Sequence, residues 1–505
     1  MKRIDDFLNL ITMYRLTLYI LIFLLGAASV LGLFSILPFS FSSILFSSLF
    51  LVLMCWASNK VFSFIFKAQT NVESNYITAL ILALIVTPAK SPEDFLFLGW
   101  VTILAMGSKY ILTINKRHIF NPAALAVVIT AFVINKSASW WVGTFAMMPF
   151  VLVSGLLIVR KIKRMDLVLG FMAVALFAIY AFSLTKGLDL ILITKNIFVD
   201  SPFLFFAFIM LTEPLTTPPT KSLRIWYGAL VGFLFTPQIH FGSFYTTPEI
   251  ALVAGNVFSY AVSPKVKVIL KLVKKIQIAP DIYDFIFAPK KMISFIPGQY
   301  LEWTFSHPNT DSRGNRRYFT LASSPTEPDI RLGIKFYEKL SSFKKSLFDM
   351  DENSEIVASQ LAGDFTMPKN PTGKYIFISG GIGVTPFRSI IKYLLDTNQK
   401  ADIIHFFCNK IASDIVYTDI FDSAEQNLGI KTIHTLTDEM QIPIGWQGKV
   451  GRLKEQMIKE EVPDYLERIF YLSGPRGLVT GFENVLKEMG IRRNHIKTDF
   501  FPGFV

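Results

Sequence analysis

The sequence is short of the residues that hold inorganic redox centres. It carries two cysteines in 505 residues, Cys55 and Cys408, one in each half. A four-cysteine iron–sulfur cluster within this chain and a disulfide framework are both excluded on that count. Histidine is as scarce: residues 1–262 contain only His118 and His240, expected on opposite sides of the fold. Two stacked haems ligated from facing helices need about four histidines, so a haem is not expected either. Charge is also sparse, 17% of residues against 52% apolar, and the shortage is uneven. Nearly all the long apolar runs fall in residues 1–262, whereas residues 265–505 carry charge at the density of a soluble protein. The change comes near Ser263-Pro264-Lys265. A chain of this length with such a shift is expected to divide into more than one domain.

What is present in the first half reads as membrane-spanning helix. Candidate spans are 15–37, 41–58, 72–88, 94–114, 121–135, 139–160, 165–184, 201–215, 222–238 and 245–262. Several are shorter than the roughly 20 residues of a straight crossing, which suits broken helices inside a bundle. The first run is long and leads into others, so a retained anchor is expected and not a cleaved signal peptide. The net charge of +12 follows from topology and not from nucleic-acid binding. With the N-terminus inside, the inner segments hold Lys2, Arg3, Arg15, Lys60, Lys67, Lys116, Arg117, Arg160, Lys161, Lys163, Arg164, Lys221, Arg224 and the stretch Lys265 to Lys275. The outer loops hold Lys90, Lys136, Lys186 and Lys195. This asymmetry puts both termini, and the soluble half, in the cytoplasm of a cell bounded by its inner membrane. Ala79 to Pro88 and Ala207 to Pro214 occupy similar places in two sets of five spans; five being odd, the sets would be inverted repeats with a site between them.

Two segments of this half carry polar chemistry. Asn121-Pro122 follows the basic Lys116-Arg117-His118 and opens a helix, either as a simple cap or as an anion site at the positive helix end. Leu211-Thr212-Glu213-Pro214 breaks a helix and leaves a carboxylate at its inner end, a functional candidate by default at membrane depth. His118 to Ala124, Thr212-Glu213-Pro214 and Gly228-Ala-Leu-Val-Gly232 resemble the flavin-carrying integral membrane proteins of the Rnf and Nqr complexes. The resemblance covers roughly residues 1–262. It implies a pseudo-symmetric bundle of ten helices holding flavin, near Asn121 and Glu213. That family esterifies one FMN to threonine in Ser-Gly-Ala-Thr. No such motif occurs here, and the outer loop 185–200 offers only Thr185 and Thr194, so a non-covalent FMN or riboflavin is expected.

The second half alternates apolar and polar residues in short runs from 266 to 368, the pattern of a small antiparallel barrel. Arg317-Tyr318-Phe319-Thr320 sets a guanidinium beside aromatics and a hydroxyl, which suits a flavin pyrophosphate, its ring system and its N5. Ser341-Ser342-Phe343-Lys344 opens a helix whose N–H groups could take further phosphate oxygens, favouring FAD over FMN. From 372 to 505 an α/β lobe is expected. Tyr375 to Ile391 reads as apolar strand, glycine turn (Gly380, Gly381, Gly383) and helix from Thr385-Pro386, a cradle for phosphate.

This half is similar to the ferredoxin–NADP⁺ reductase family over about 266–505. The flavin signature of that family falls on Arg317, Tyr318, Phe319 and Thr320, and its nucleotide turn on Gly380 to Pro386. Its second nucleotide segment falls on Ser473-Gly474-Pro475, with Ser473 where the family has cysteine. The resemblance implies that Thr320 and Ser473 border the hydride path, and that Phe501 or Phe504 covers the flavin until nicotinamide displaces it. For the coenzyme, Asp414 after the second strand speaks against a 2′-phosphate and Lys410 speaks weakly for one, so NADH is favoured over NADPH. The joined halves read as a membrane oxidoreductase passing electrons from NAD(P)H through FAD to a flavin in the bundle, then to a quinone or an extracytoplasmic carrier. Two alternatives remain: a fused component of a Na⁺- or H⁺-translocating redox complex with partner chains, or a transporter with a redox-sensing reductase domain.

Overall fold

The computed structural model describes residues 11–66, 72–114, 117–242, 244–263, 267–305, 311, 315–338, 340–368 and 372–499, together with Ile4 and Leu8. The chain divides into two compact units, Met1–Ser263 and Pro264–Val505.

The first unit is helical. Its helices are α1 (Met13–Leu33), α2 (Phe41–Ile65), α3 (Val72–Ile85), α4 (Pro92–Ile111) and α5 (Pro122–Ile134). They continue with α6 (Met148–Ile162), α7 (Met165–Thr185), α8 (Leu190–Val199), a short segment Phe203–Met210 that ends in a π turn, α9 (Lys221–Leu234) and α10 (Pro248–Val262). Among the described residues four of these, α1, α2, α4 and α7, are long and apolar enough to cross a membrane; α8 with Phe203–Met210, bent by 55°, makes a fifth if taken as one broken span. Ten full-length spans are therefore not what the helices display. The other helices are shorter, and two expectations are corrected.

The run 139–160 forms helix only from Met148. Its first residues serve α3 instead. Ser139 and Trp140 donate their backbone N–H groups to Ile85 O (both 2.9 Å), and the Trp141 indole donates to Ala83 O and Val86 O (both 3.0 Å). A helix that stops inside an apolar bundle leaves carbonyls that need such donors. The second correction is the supposed outer loop 185–200, where Asp189 caps α8 by accepting from Ile191 N at 2.8 Å.

The two halves of the unit repeat their packing. Helix α2 packs on α4 as α7 packs on α9; α4 on α5 as α9 on α10; α1 on α3 as α6 on Phe203–Met210. Contacts between the halves join α1 to α6 and α5 to α10, which are equivalent pairs under the same matching. A two-residue ladder precedes α5 (Thr113–Ile114 with Arg117–His118) and another precedes α10 (His240–Phe241 with Phe244–Tyr245). Each of these helices then starts with a polar cap and a proline, Asn121-Pro122 and Thr247-Pro248. Gly228 and Gly232 seat α9 on the backbone of α7: a Cβ at either would lie 2.5 Å from Leu167 O or Phe171 O. Small residues four apart permit this close approach.

The second unit begins with an antiparallel barrel of β1 (Lys267–Ala279), β2 (Ile282–Pro289), β3 (Tyr300–Thr304), β4 (Arg316–Thr320), β5 (Ile330–Lys335) and β6 (Glu355–Ala362), in the order β4-β3-β6-β1-β2-β5. The chain just after β4 closes the ring on β5, Ala322 N donating to Arg331 O at 3.0 Å. Short helix α11 (Ser342–Phe348) packs Phe343 and Leu347 into the barrel core with Leu301, Trp303 and Phe287.

The α/β lobe follows: a parallel sheet in the order β10 (Lys449–Val450), β9 (Lys431–Leu436), β8 (Asp402–Asn409), β7 (Lys374–Gly380), β11 (Ile469–Ser473), β12 (Ile496–Asp499). Central β7 is buried along its length after Lys374, as a strand covered on both faces must be. Its odd-numbered residues Tyr375 and Phe377 face α12 (Thr385–Asp396) and α13 (Thr418–Leu428). Ile376 and Ile378 face the side of α14 (Glu455–Glu461) and α15 (Arg476–Glu488). This topology brings the C-terminal ends of β7, β8 and β11 together at one edge.

Candidate functional site

At the barrel corner, Arg317 is 5% exposed on β4. Its guanidinium donates to Arg316 O (2.7 Å), lies over the Phe343 ring (5.3 Å) and faces Asp311 Oδ1 at 3.6 Å. The same carboxylate accepts from Ser342 N at 2.9 Å through Oδ2, and Asp311 N donates to Ser342 Oγ, also 2.9 Å. One anionic group is thus shared by the guanidinium and a backbone N–H of α11. The guanidinium and this N–H together form a donor set whose chemistry would fit a pyrophosphate. Ser341, Ser342 and Lys344 are engaged by the chain itself. Ser341 Oγ accepts from Lys344 N (3.2 Å), Ser342 holds Asp311, and Lys344 Nζ donates to Lys335 O (2.8 Å).

The four signature residues divide between the faces of β4. Arg317 and Phe319 lie opposite Trp303 and Leu301, and Phe319 meets Phe343 at 5.9 Å. Tyr318 and Thr320 lie opposite Glu302 and Tyr300; the Tyr318 hydroxyl donates to Glu302 Oε2 at 2.7 Å. Thr320 Oγ1 donates to Asp499 Oδ2 at 3.1 Å.

At the lobe corner, Gly380 ends β7, a tight turn runs Gly381–Val384, and α12 starts at Thr385 with Pro386 in its first turn. Gly381 has φ +51°. A Cβ on Gly383 would lie 2.4 Å from Gly474 Cα, so the turn and Ser473-Gly474-Pro475 touch backbone to backbone. Ser473 registers with Ser379 on one side and Asp499 on the other. Asp499 therefore links the end of the nucleotide sheet to the Thr320 hydroxyl. Motif spacing does not single out Asp499; its one signal is a lone carboxylate just before the closing aromatic run. Phe501 and Phe504 lie outside the described residues.

A clasp between barrel and lobe likewise has no sequence motif. Arg388 on α12 donates to Ala322 O (2.7 Å) and bidentately to Glu327 (2.8 and 2.9 Å), and Ser389 Oγ donates to Ser323 O (2.6 Å). Tyr417 and Arg331 both donate to Asp284, at 2.5 Å. Burial opposes ionisation of Glu327, yet its bonds to Arg388 hold the carboxyl below its ordinary range; burial and Asp284 push the Tyr417 phenol well up. These residues fix the gap between the corners. Their partners lie tens of residues away in sequence, which leaves no spacing to read.

The candidate residues of the first unit meet one another. Asn121 Oδ1 caps α5 by accepting from Ala124 N (3.1 Å), while its Nδ2 donates to Glu213 Oε2 (2.9 Å). Thr216 Oγ1 adds a bond to the same oxygen (3.1 Å), and His118 Nε2 stands 3.7 Å from Oε1. From α10, Asn256 Oδ1 accepts from Asn121 N (2.7 Å) and its Nδ2 donates to Tyr227 OH (3.0 Å). The anion at the positive end of α5 is the chain's own Glu213.

Comparison with known proteins bears on the second unit. The Oxidoreductase NAD-binding domain family matches residues 377–484. The chain is similar to the glycine betaine monooxygenase reductase subunit of Chromohalobacter salexigens, 28% identical over 241 residues, 46% of this chain and 63% of that protein. A flavohemoprotein of Bacillus thuringiensis subsp. konkukian is 25% identical over 244 residues, 46% of this chain and 60% of that one. The cytochrome b5 reductase domain of Ulva prolifera nitrate reductase aligns with a TM-score of 0.42 at 18% identity, over 47% of this chain and 98% of that one. The chain spans about three-fifths of the length of the curated relatives it matches.

Proposed function

We propose that this protein is a membrane-anchored NAD(P)H-dependent flavin oxidoreductase. In this reading the second unit lies in the cytoplasm, oxidises NAD(P)H and holds FAD, and the first unit lies in the inner membrane with a non-covalently held FMN or riboflavin. Electrons leave the bundle for a quinone or an extracytoplasmic carrier. The observation that carries the reading is the meeting of the Gly380–Gly383 turn, Ser473-Gly474 and the Asp499–Thr320 pair at one sheet edge, within a segment matched by an NAD-binding oxidoreductase family. The reductase subunits and flavohemoproteins among its relatives support the same chemistry.

A bound FAD would supply two-electron acceptance and one-electron release. The chain's own groups do the rest. Arg317 and Ser342 N–H hold the pyrophosphate in place of Asp311. The glycine turn lets backbone N–H groups approach the dinucleotide. Thr320 and Asp499 hold a proton between them at the junction of barrel and lobe, and the Arg388 and Tyr417 clasp keeps that junction at fixed width. Electron flow onward into the bundle rests on the apolar helices, the repeated packing and the Asn121–Glu213 cluster, and on the resemblance to Rnf and Nqr membrane proteins. Membrane vesicles exposing the cytoplasmic face test it: NADH added outside reduces an impermeant acceptor trapped inside, and Arg317→Ala abolishes that reduction.

A second reading is favoured by one feature. Glu213 is a carboxylate within an apolar bundle, ringed by Asn121, Thr216 and His118, a setting suited to one component of an ion-translocating redox complex with partner chains. Sodium- or proton-dependent NADH oxidation that is lost in Glu213→Gln separates it from plain electron transfer.

A further inference from the structure

The outer face of β1 and the turn after β2 form a basic patch threaded with aliphatic side chains. On β2, Phe285 and Phe287 belong to the barrel core, so Ile286 and Ala288 point outward. Their partners on β1 are Lys274 and Lys271, and the extra residue Val273 at the register shift keeps both lysines on that outer face. Lys290 N donates to Ile269 O at 3.2 Å, which sets the start of the turn, Lys290-Lys291-Met292, beside β1. All four lysines are exposed. Glu355, opposite Lys271 on β6, pairs with Lys290 at 2.6 Å. Lys271, Lys274 and Lys291 have no ion-pair partner among the described residues.

Between these lysines lie Ile269, Val273 and Met292, 38%, 46% and 63% exposed. Apolar side chains scattered singly over a surface are ordinary, but these three share one patch with the unpaired cations. A lysine stem covers apolar surface while its ammonium group reaches the polar side of it. That mixture fits the boundary of an anionic bilayer, where headgroup phosphates meet acyl chains. An acidic protein would also attract the lysines, but the connectivity of the chain favours lipid. Only three residues, 264–266, part Ser263 from Lys267. The start of β1 therefore stays within about 14 Å of Ser263, however the two units are arranged. The helix just before it, α10, is apolar. A tether this short holds the patch at a high effective concentration of headgroups.

Resting on the membrane placement proposed above, we propose that this face of the barrel docks on anionic lipid headgroups. Lys271, Lys274 and Lys291 meet the phosphates, and Ile269, Val273 and Met292 enter the boundary beneath them. Each such lysine favours the docked state by roughly fivefold near an anionic surface. Salt screens that attraction, so docking weakens as ionic strength rises.

The test uses the full chain. Both native cysteines, Cys55 and Cys408, are buried, so a thiol-reactive fluorophore goes to a cysteine introduced at an exposed position. Labelled Met292→Cys is placed in nanodiscs of phosphatidylcholine, alone or mixed with phosphatidylglycerol, that carry a quencher near the lipid headgroup. Quenching is expected to be at least about fivefold greater in the anionic discs and to be lost at high salt. Lys271→Gln together with Lys291→Gln is expected to lower the docked-to-free ratio about 30-fold. Arginine at both positions is expected to preserve it, with folding checked by an unchanged melting midpoint. A label at Met440→Cys, a residue of the α/β lobe that is 95% exposed, is expected to stay unquenched in both discs. Equal quenching in neutral and anionic discs overturns the inference, as does quenching that survives the two glutamines or is as strong at position 440. No quenching in either disc also overturns it and leaves the lysines to an acidic protein. A chain that stays in solution without detergent and never enters the discs defeats the membrane placement itself.

Discussion

The barrel and the α/β lobe prepare for an anionic ligand in opposite ways. The barrel corner is charged and closed on itself: Arg317 and the N–H of Ser342 already share the Asp311 carboxylate. The turn at the lobe corner is made of backbone, with the Asp499 carboxylate at its flank: Gly380 to Gly383 against Ser473-Gly474, with no room for a Cβ at Gly383. Charge-assisted bonds to a guanidinium hold tightly, and neutral N–H groups at a helix start hold more weakly. The difference matches a resident cofactor at one corner and an exchanging coenzyme at the other, and it can be broken one side at a time.

The largest effect is expected at the lobe. Gly383→Val puts a branched side chain where backbone already stands, and NADH oxidation should fall at least about 100-fold, the scale of a roughly 1 Å misplacement. Flavin content, read from absorbance of the purified protein, should be retained. Next comes the barrel. Arg317→Ala should weaken FAD retention by roughly 10- to 100-fold, as loss of a charge-assisted pair implies. Asp311→Ala should leave retention equal or better, since it removes the competing carboxylate. Flavin release during gel filtration reads both variants.

A smaller effect is expected in the helical unit. Asn121→Ala removes the α5 cap and one partner of Glu213, and should destabilise the protein by about 1–2 kcal/mol, measured as a fall in the detergent melting midpoint. The smallest is a pH effect in the lobe. Burial holds the His405 imidazole down to about 3, while the unfolded chain protonates near 6.5. Between those values the unfolded state binds the extra proton, so the stability contributed by neutral His405 is complete above about pH 6.5 and is lost as pH falls toward 3. Its share is at most about 1.4 kcal/mol per pH unit. His405→Leu should flatten that part of the urea-denaturation profile relative to wild type.

The two units also differ in how much of them the sequence discloses. The lobe is legible because its signals are local. An apolar strand, a glycine turn and a helix appear in consecutive residues from Tyr375 to Ile391, and the structure places β7, the turn and α12 there. The bundle is legible in its helices but not in their ends. The segment 139–147 reads as apolar helix, yet its donors go to the carbonyls of α3, a partner more than fifty residues away. Helix α8 is hidden because its ten residues are too few to stand out as a span. In the site, Arg317 and Thr320 can be named but not assigned to opposite faces of β4, since that depends on register with β3. Asn121 and Glu213 stand out for separate reasons, and their hydrogen bond across 92 residues cannot be read from either motif. The Arg388 and Tyr417 clasp and the Asp499–Thr320 pair stay hidden for the same reason: each joins elements that only the fold brings together.

The central proposal is that a nucleotide-oxidising unit delivers electrons to a second flavin among the helices of the same chain. Anaerobic titration of the purified full-length protein with NADH, followed by acid extraction and flavin quantification, tests it most directly. The expected result is two flavins per chain, FAD and a smaller flavin freed without hydrolysis, both bleached by NADH in wild type and neither bleached in Gly383→Val. One FAD per chain and no second flavin, or a second flavin that NADH never reduces, would contradict it.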